Sequence, residues 1–197
     1  MDTQNIRESI AQIKSAQLAT SDIIKRLEET LRRFADSVDL DSIDQCLDSK
    51  ALYRRQRLSD VNDDFHIVMA LWKPHSSSPI HDHDGTIGAV TTIAGTTIER
   101  KYEKVASLGE YCFLDVGDTQ VLDRKTVSPI LPEHQGAQLH AMHNPYGTWA
   151  ATLHVYLHPL TTFKLYHAQA CELYTQTSES LWFDKMTASL RLKKALA

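Results

Sequence analysis

The segment Pro79-Ile80-His81-Asp82-His83-Asp84-Gly85-Thr86-Ile87-Gly88-Ala89-Val90-Thr91-Thr92-Ile93-Ala94-Gly95 carries two signals at once. Its second half, from Ile87 to Ile93, is rich in β-branched residues and reads as a strand. Ala94-Gly95 follows as a hairpin turn and Thr96 to Glu103 as the returning strand. Its first half places two histidines at i and i+2. In extended chain these positions point to the same side, so His81 and His83 can present two imidazoles to one metal ion.

Outward from this hairpin the texture stays β. His66 to Trp72 is a short run of strand formers, and Pro74 and Pro79 flank a serine-rich turn. Tyr111 to Val116 alternates weakly, with a turn expected at Gly117-Asp118. Leu139 to His143 is a further strand. Asn144-Pro145-Tyr146-Gly147 is a strong turn signal, and a strand from Trp149 to Leu157 follows. Short strands at this spacing predict a sandwich or barrel. The first fifty residues read differently. Ile6, Ile10 and Ile13 recur at helical spacing. Ser21 is a candidate N-cap for a second helix with Ile24, Leu27, Leu31 and Phe34 on one face. Leu40 to Leu47 suggests a short third turn of helix, and Ser178 to Leu196 a C-terminal helix. The expected organisation is one domain: a helical segment at 1–50, a barrel at 51–177 and a short helix at 178–197.

Composition bounds the function. The 197 residues carry 21 Lys and Arg against 25 Asp and Glu, a net charge of −4. A nucleic-acid binder normally shows a basic surplus, so none is expected as a partner. No apolar run approaches the length of a membrane span, and MDTQNIRESI lacks a signal-peptide core, so a cytoplasmic protein is expected. Cys46, Cys112 and Cys171 form no CxxC pair, which argues against a zinc ribbon or a disulfide framework. Ten histidines are the anomaly. Histidine ligates metals and moves protons near neutral pH. His140 and His154, each in strand-like sequence, are both candidates for a third ligand.

The His-x-His pair before a strand ending at Gly95 resembles the first motif of the cupin superfamily. The match is incomplete: the motif's Glu slot holds Ile87 or Gly88, and its leading Gly slot falls on His75. His140 with Asn144 resembles the end of the second cupin motif. A three-histidine set without a carboxylate narrows the resemblance to the thiol dioxygenases. Leu52-Tyr53-Arg54-Arg55, Leu71-Trp72, Pro79 to His83, His140 to Asn144 and Thr152-Leu153-His154-Val155-Tyr156 follow in that family's order. The resemblance implies a mainly β fold, the cupin double-stranded β-helix or jelly roll. It also implies Fe(II) as cofactor on His81, His83 and His140, with O2 and a small thiol as partners. Tyr156 matches the active-site tyrosine and His154 the histidine that orients it. Thr152 stands where the family commonly has Ser. Arg55 matches the residue that pairs with a substrate carboxylate, although Arg54 and Gln56 are one residue from that register. Three neutral imidazoles leave the ion its full charge, which suits an anionic thiolate ligand. The expected reaction is oxygenation of L-cysteine to its sulfinate; 3-mercaptopropionate is the alternative substrate, and a non-catalytic ligand-binding or sensor cupin the alternative role. A monomer or small homo-oligomer is expected. Mammalian-type members crosslink the tyrosine to a Cys at the position of Gly88, so no crosslink is expected here. Trp72 is expected to be barrel core.

Overall fold

The computed structural model describes residues 2–38, 53–132, 139–169 and 172–183. Two helices lead, α1 (Thr3–Ser15) and α2 (Thr20–Ser37). The strands follow: β1 (Tyr53–Arg57), β2 (His66–Trp72), β3 (Ser76–Ser77), β4 (Ile80–His81), β5 (Gly88–Ala94) and β6 (Thr97–Leu108). Then come β7 (Tyr111–Leu122), β8 (Val127–Ile130), β9 (Leu139–Asn144), β10 (Ala150–Tyr156), β11 (Thr162–Ala168) and β12 (Leu173–Ser180).

All pairings are antiparallel and fall into two sheets. One has the order β1-β2-β10-β5-β8; the other runs β3-β9-β4-β11-β12-β7-β6, with β6 also pairing β9. This is the cupin jelly roll. β2, β5 and β10 are buried along their whole length because both faces of the smaller sheet are covered. Ile67, Met69, Leu71, Leu153 and Val155 face the helices, where Ile6, Ile10, Leu27, Leu31 and Phe34 close over them. Full burial of such a side chain contributes about 1.5–3 kcal/mol. The opposite face of the same strands, Val68, Ala70, Trp72, His154 and Tyr156, lines the barrel interior. Strand alternation thus divides each strand between scaffold and site.

Several boundaries differ from the expectation. Ser21 lies inside the first turn of α2; the N-cap is Ala19, which makes no side-chain cap bond. α1 is capped by Asp2, whose carboxylate accepts the Asn5 N–H at 2.7 Å. Gly117-Asp118 is no turn. β7 runs through it, and the register there passes from Tyr102↔Val116 to Arg100↔Thr119, a bulge placing two residues opposite Lys101. Glycine suits the bulge because a Cβ at Gly117 would stand 3.3 Å from the Lys101 carbonyl oxygen. Gly95 does form the expected turn, at φ +65, and a Cβ there would crowd the Trp149 carbonyl. Ser178–Ser180, expected to begin a helix, instead end β12, paired with Thr162–Lys164 of β11. Residues 181–183 follow without regular structure; the remainder of that expected helix, from 184 on, and the short helix at 40–47 lie outside the described residues.

Candidate metal centre and substrate pocket

His81 closes β4, His83 follows two residues later, and His140 stands directly across from His81 in β9. Their Nε2 atoms converge: His140 lies 3.1 Å from His83 and 3.2 Å from His81. Ligands at right angles around an ion, each about 2.1 Å from it, sit about 3.0 Å apart, and tetrahedral ones about 3.4 Å. The observed spacings lie between these values. Three imidazole nitrogens converging at this spacing form a donor set that fits a divalent metal. The tautomers agree. His81 Nδ1 donates to the Pro79 carbonyl at 3.0 Å, which frees its Nε2 lone pair. Burial and the neighbouring His140 imidazole push the His81 pKa well below its ordinary value, keeping it neutral.

Asp82, between the two histidines, points the other way, as alternation requires. It accepts the Lys164 N–H at 2.8 Å and the Tyr166 hydroxyl at 3.3 Å, tying the His-x-His segment to β11. Asn144 is equally structural, since its amide donates to the carbonyls of Trp72, Lys73 and Thr148.

One residue escaped the sequence reading. Glu99 of β6 is 1% exposed, and its Oε1 accepts the His140 Nδ1–H at 2.6 Å. Its Oε2 accepts from the Gln120 amide of β7 at 2.6 Å. Burial alone would raise the Glu99 pKa, but the hydrogen bond from His140 and the electrostatic influence of that imidazole and of Lys101 lower it to about 2. No carboxylate stands among the three converging imidazoles, but one lies directly behind them. Thr97, Glu99 and Lys101 alternate as a polar set, the pattern of a wet face, and only the fold reveals that Glu99 points inward.

Thr152, His154 and Tyr156 share the interior face of β10. Thr152 Oγ1 and His154 Nε2 are 2.8 Å apart, and His154 Nδ1 and the Tyr156 hydroxyl 3.3 Å. Trp72, expected to be plain core, extends the chain: its indole N–H donates to Thr152 Oγ1 at 2.9 Å. Burial, then the neighbouring His140 imidazole and the Arg55 guanidinium, lower the His154 pKa to about 3. Burial raises that of Tyr156 and keeps it a phenol.

Arg55 lies across from Ala70, which lines the interior, whereas Arg54 and Gln56 lie across from Leu71 and Met69, which face the helices. Arg55 thus joins Tyr53, His81, His154, Tyr156 and Phe163 around one small cavity, with about 30 Å³ open to the centres of water molecules. Its Nη2 donates to the Tyr53 hydroxyl at 2.9 Å. The rings of Tyr53, Trp182 and Phe163 stand 5.1, 5.3 and 5.4 Å from the guanidinium carbon.

Gly88 lies across from Tyr156 on β5, and a Cβ there would run into the Val155 carbonyl oxygen. Cys112 is buried among Tyr102, Leu114, Leu139 and Tyr166, away from the pocket.

The fold and the site together define a cupin with a three-histidine centre suited to a metal ion. The family model for cysteine dioxygenase type I matches residues 5–169, and the chain belongs to that family, which is metal-dependent and oxidoreductive. Solved structures similar to it include an oxalate oxidase, at 14% identity over 59% of this chain and 56% of that one, TM-score 0.44. A cupin-superfamily sugar phosphate isomerase from Silicibacter pomeroyi is 13% identical over 66% and 76%, TM-score 0.45. The cupin domain of an XRE-family transcriptional regulator from Enterobacter cloacae is 16% identical over 55% and 99%, TM-score 0.41. The chain spans little more than half the length of the oxalate oxidase chains. Among the described residues no helix is long and apolar enough to cross a membrane.

Proposed function

We propose that this protein is an Fe(II)-dependent thiol dioxygenase that adds both atoms of O2 to a small carboxylated thiol, with L-cysteine and its sulfinate as substrate and product. The observation that carries the reading is the placing of Arg55 and the Tyr53 hydroxyl in one small cavity with His81 and Tyr156. A guanidinium receives a carboxylate through two parallel N–H bonds. The cavity has room for a few water-sized groups, which favours a short thiol acid over a peptide.

His81, His83 and His140 would hold the iron, which when bound supplies the redox chemistry between sulfur and dioxygen. The chain's own residues do the rest. Arg55 fixes one end of the substrate, so that its sulfur is delivered to the histidine face of the cavity. Three neutral ligands leave positive charge at the centre, which stabilises a thiolate over a thiol. Tyr156, a phenol at neutral pH, presents an O–H donor to the pocket when His154 Nδ1–H supports its oxygen. That tautomer is set when Thr152, itself held by Trp72, donates to His154 Nε2. Burial of His154 and Tyr156 keeps bulk water from interrupting this chain.

An anaerobic Fe(II) titration followed by oxygen uptake over a thiol panel tests the proposal. One iron per chain is expected, lost in His81→Ala, His83→Ala and His140→Ala, with uptake coupled to sulfinate for L-cysteine. Ranking 3-mercaptopropionate above L-cysteine would reassign the substrate. Equal coupling for cysteamine and L-cysteine would remove the carboxylate role of Arg55.

A further inference from the structure

Glu99 is buried, charged and bonded on both sides, a costly arrangement in a barrel interior unless both bonds are made. Its partners are unlike. Oε1 meets the Nδ1–H of His140, whose other nitrogen faces the metal position; Oε2 meets the amide of Gln120, which holds the carboxylate in place from β7. Glu99 pairs with Met142 of β9, and Lys101 with His140, so the carboxylate reaches His140 diagonally across the β6–β9 ladder. A small space of about 10 Å³ beside His83 and His140 is also lined by Glu99 and shares no lining residue with the cavity that holds Arg55.

From this geometry we infer that Glu99 is a positioning residue for the metal centre: it fixes His140 as the Nδ1–H tautomer, orients its Nε2 toward the ion and places one negative charge one hydrogen bond behind a neutral ligand set. The inference rests on the reading that the three histidines hold a divalent metal. Carboxylate partners of ligating histidines typically contribute 10- to 100-fold in metal affinity. Chemistry also explains why the residue is Glu and not Gln. A carboxylate accepts from both donors as they stand and brings a negative charge, whereas an amide has a single acceptor oxygen and no charge, and keeps both bonds only if the Gln120 amide turns over to accept.

That asymmetry supplies the test. Co(II) affinity is measured by chelator competition in the wild type, His140→Ala, Glu99→Gln and the reciprocal double variant Glu99→Gln/Gln120→Glu. Thermal unfolding of each apo protein serves as the folding control. In the double variant the introduced amide can accept from His140 while donating to the introduced carboxylate, so both hydrogen bonds are made and the pair keeps its negative charge. Glu99→Gln should weaken Co(II) binding by about 10- to 100-fold, and the double variant should recover part of that loss. In Zn(II)-loaded protein labelled with ¹⁵N-histidine, the His140 Nδ1–H should give a slowly exchanging downfield proton. It should shift or vanish in Glu99→Gln and return in the double variant. Wild-type Co(II) affinity in Glu99→Gln, with binding lost in His140→Ala, would overturn the role of Glu99 while leaving the metal site standing. Wild-type protein that binds no Co(II) would remove the metal reading, and the inference with it. Equal weakening in both Glu99 variants with an unchanged Nδ1–H signal would also overturn it.

Discussion

Replacing Arg55 by Ala removes the guanidinium that lines the cavity, while every imidazole of the metal centre stays in place. The size of the effect follows from the surroundings of the charge. Three aromatic rings stand within 5.4 Å of its guanidinium carbon, so water has limited access to a carboxylate paired with it. Losing a desolvated pair of this kind costs on the order of 2–5 kcal/mol. Trp182, one of the three rings, is itself 50% exposed, which places the expected cost in the lower half of that range. At about 1.4 kcal/mol per decade, kcat/KM for L-cysteine should fall by about 30- to 300-fold. Arg55→Lys should recover only part of this, because an ammonium cannot reproduce the guanidinium fork. Cysteamine, without a carboxylate, should change by less than about 3-fold. The assay is oxygen uptake with sulfinate quantified at matched iron content. Parallel losses for cysteine and cysteamine, or a loss explained by lower iron content, would refute the reasoning.

Three further outcomes are expected. Trp72→Phe leaves Thr152 Oγ1 without its indole donor, and an unmade buried bond costs about 1–3 kcal/mol; kcat should drop by about 5- to 150-fold with iron content retained, and an unchanged kcat would show that the Thr152–His154–Tyr156 chain needs no anchor. His66, at the start of β2, has a pKa lowered to about 4 by burial and then by Arg57, and its buried Nδ1 has no hydrogen-bond partner among the described residues. The unfolded chain takes up that proton near pH 6.5 and the folded chain only near 4, so stability is held above pH 6.5 and lost as pH falls toward 4. At pH 5 the loss from His66 is about 2 kcal/mol. Urea unfolding of the apo protein at pH 7 and 5 should show a smaller difference in His66→Phe, and an identical difference would contradict the assignment. The intact mass should equal that of the unmodified chain, because Gly88 offers no sulfur beside Tyr156 and Cys112 lies in another cluster; a two-hydrogen deficit mapped to Tyr156 would refute this.

Much of the fold could be read from local pattern. β2, β5 and β10 carry dense β-branched and apolar residues, β9 is marked by the turn signal at Asn144-Pro145-Tyr146-Gly147, and all four fall where those signals put them. β11 and β12 were not legible. Thr162–Ala168 and Leu173–Ser180 are polar, partly exposed strands whose ordering comes from each other and from β4 and β7. The bulge at Gly117 was mistaken for a turn because glycine serves both, and only the β6 ladder separates them. Within the site, short-range spacing placed His81 with His83 and aligned Thr152, His154 and Tyr156 along one face. The inward register of Arg55 became visible only when Arg55 paired with Ala70. The contacts of Glu99 and Trp72 are not legible in the sequence for one reason: each meets a partner far away in sequence, His140 and Thr152, and no local pattern encodes that contact.

The central claim is that three histidines hold an iron at which both atoms of dioxygen are delivered to the sulfur of a small thiol acid. Turnover of L-cysteine by the Fe(II)-loaded protein under ¹⁸O2, with mass analysis of the product, tests it most directly. The account predicts cysteine sulfinate carrying both labelled atoms, and no such product from the His140→Ala protein. Cystine, unlabelled sulfinate or a singly labelled product from freshly loaded protein would contradict it.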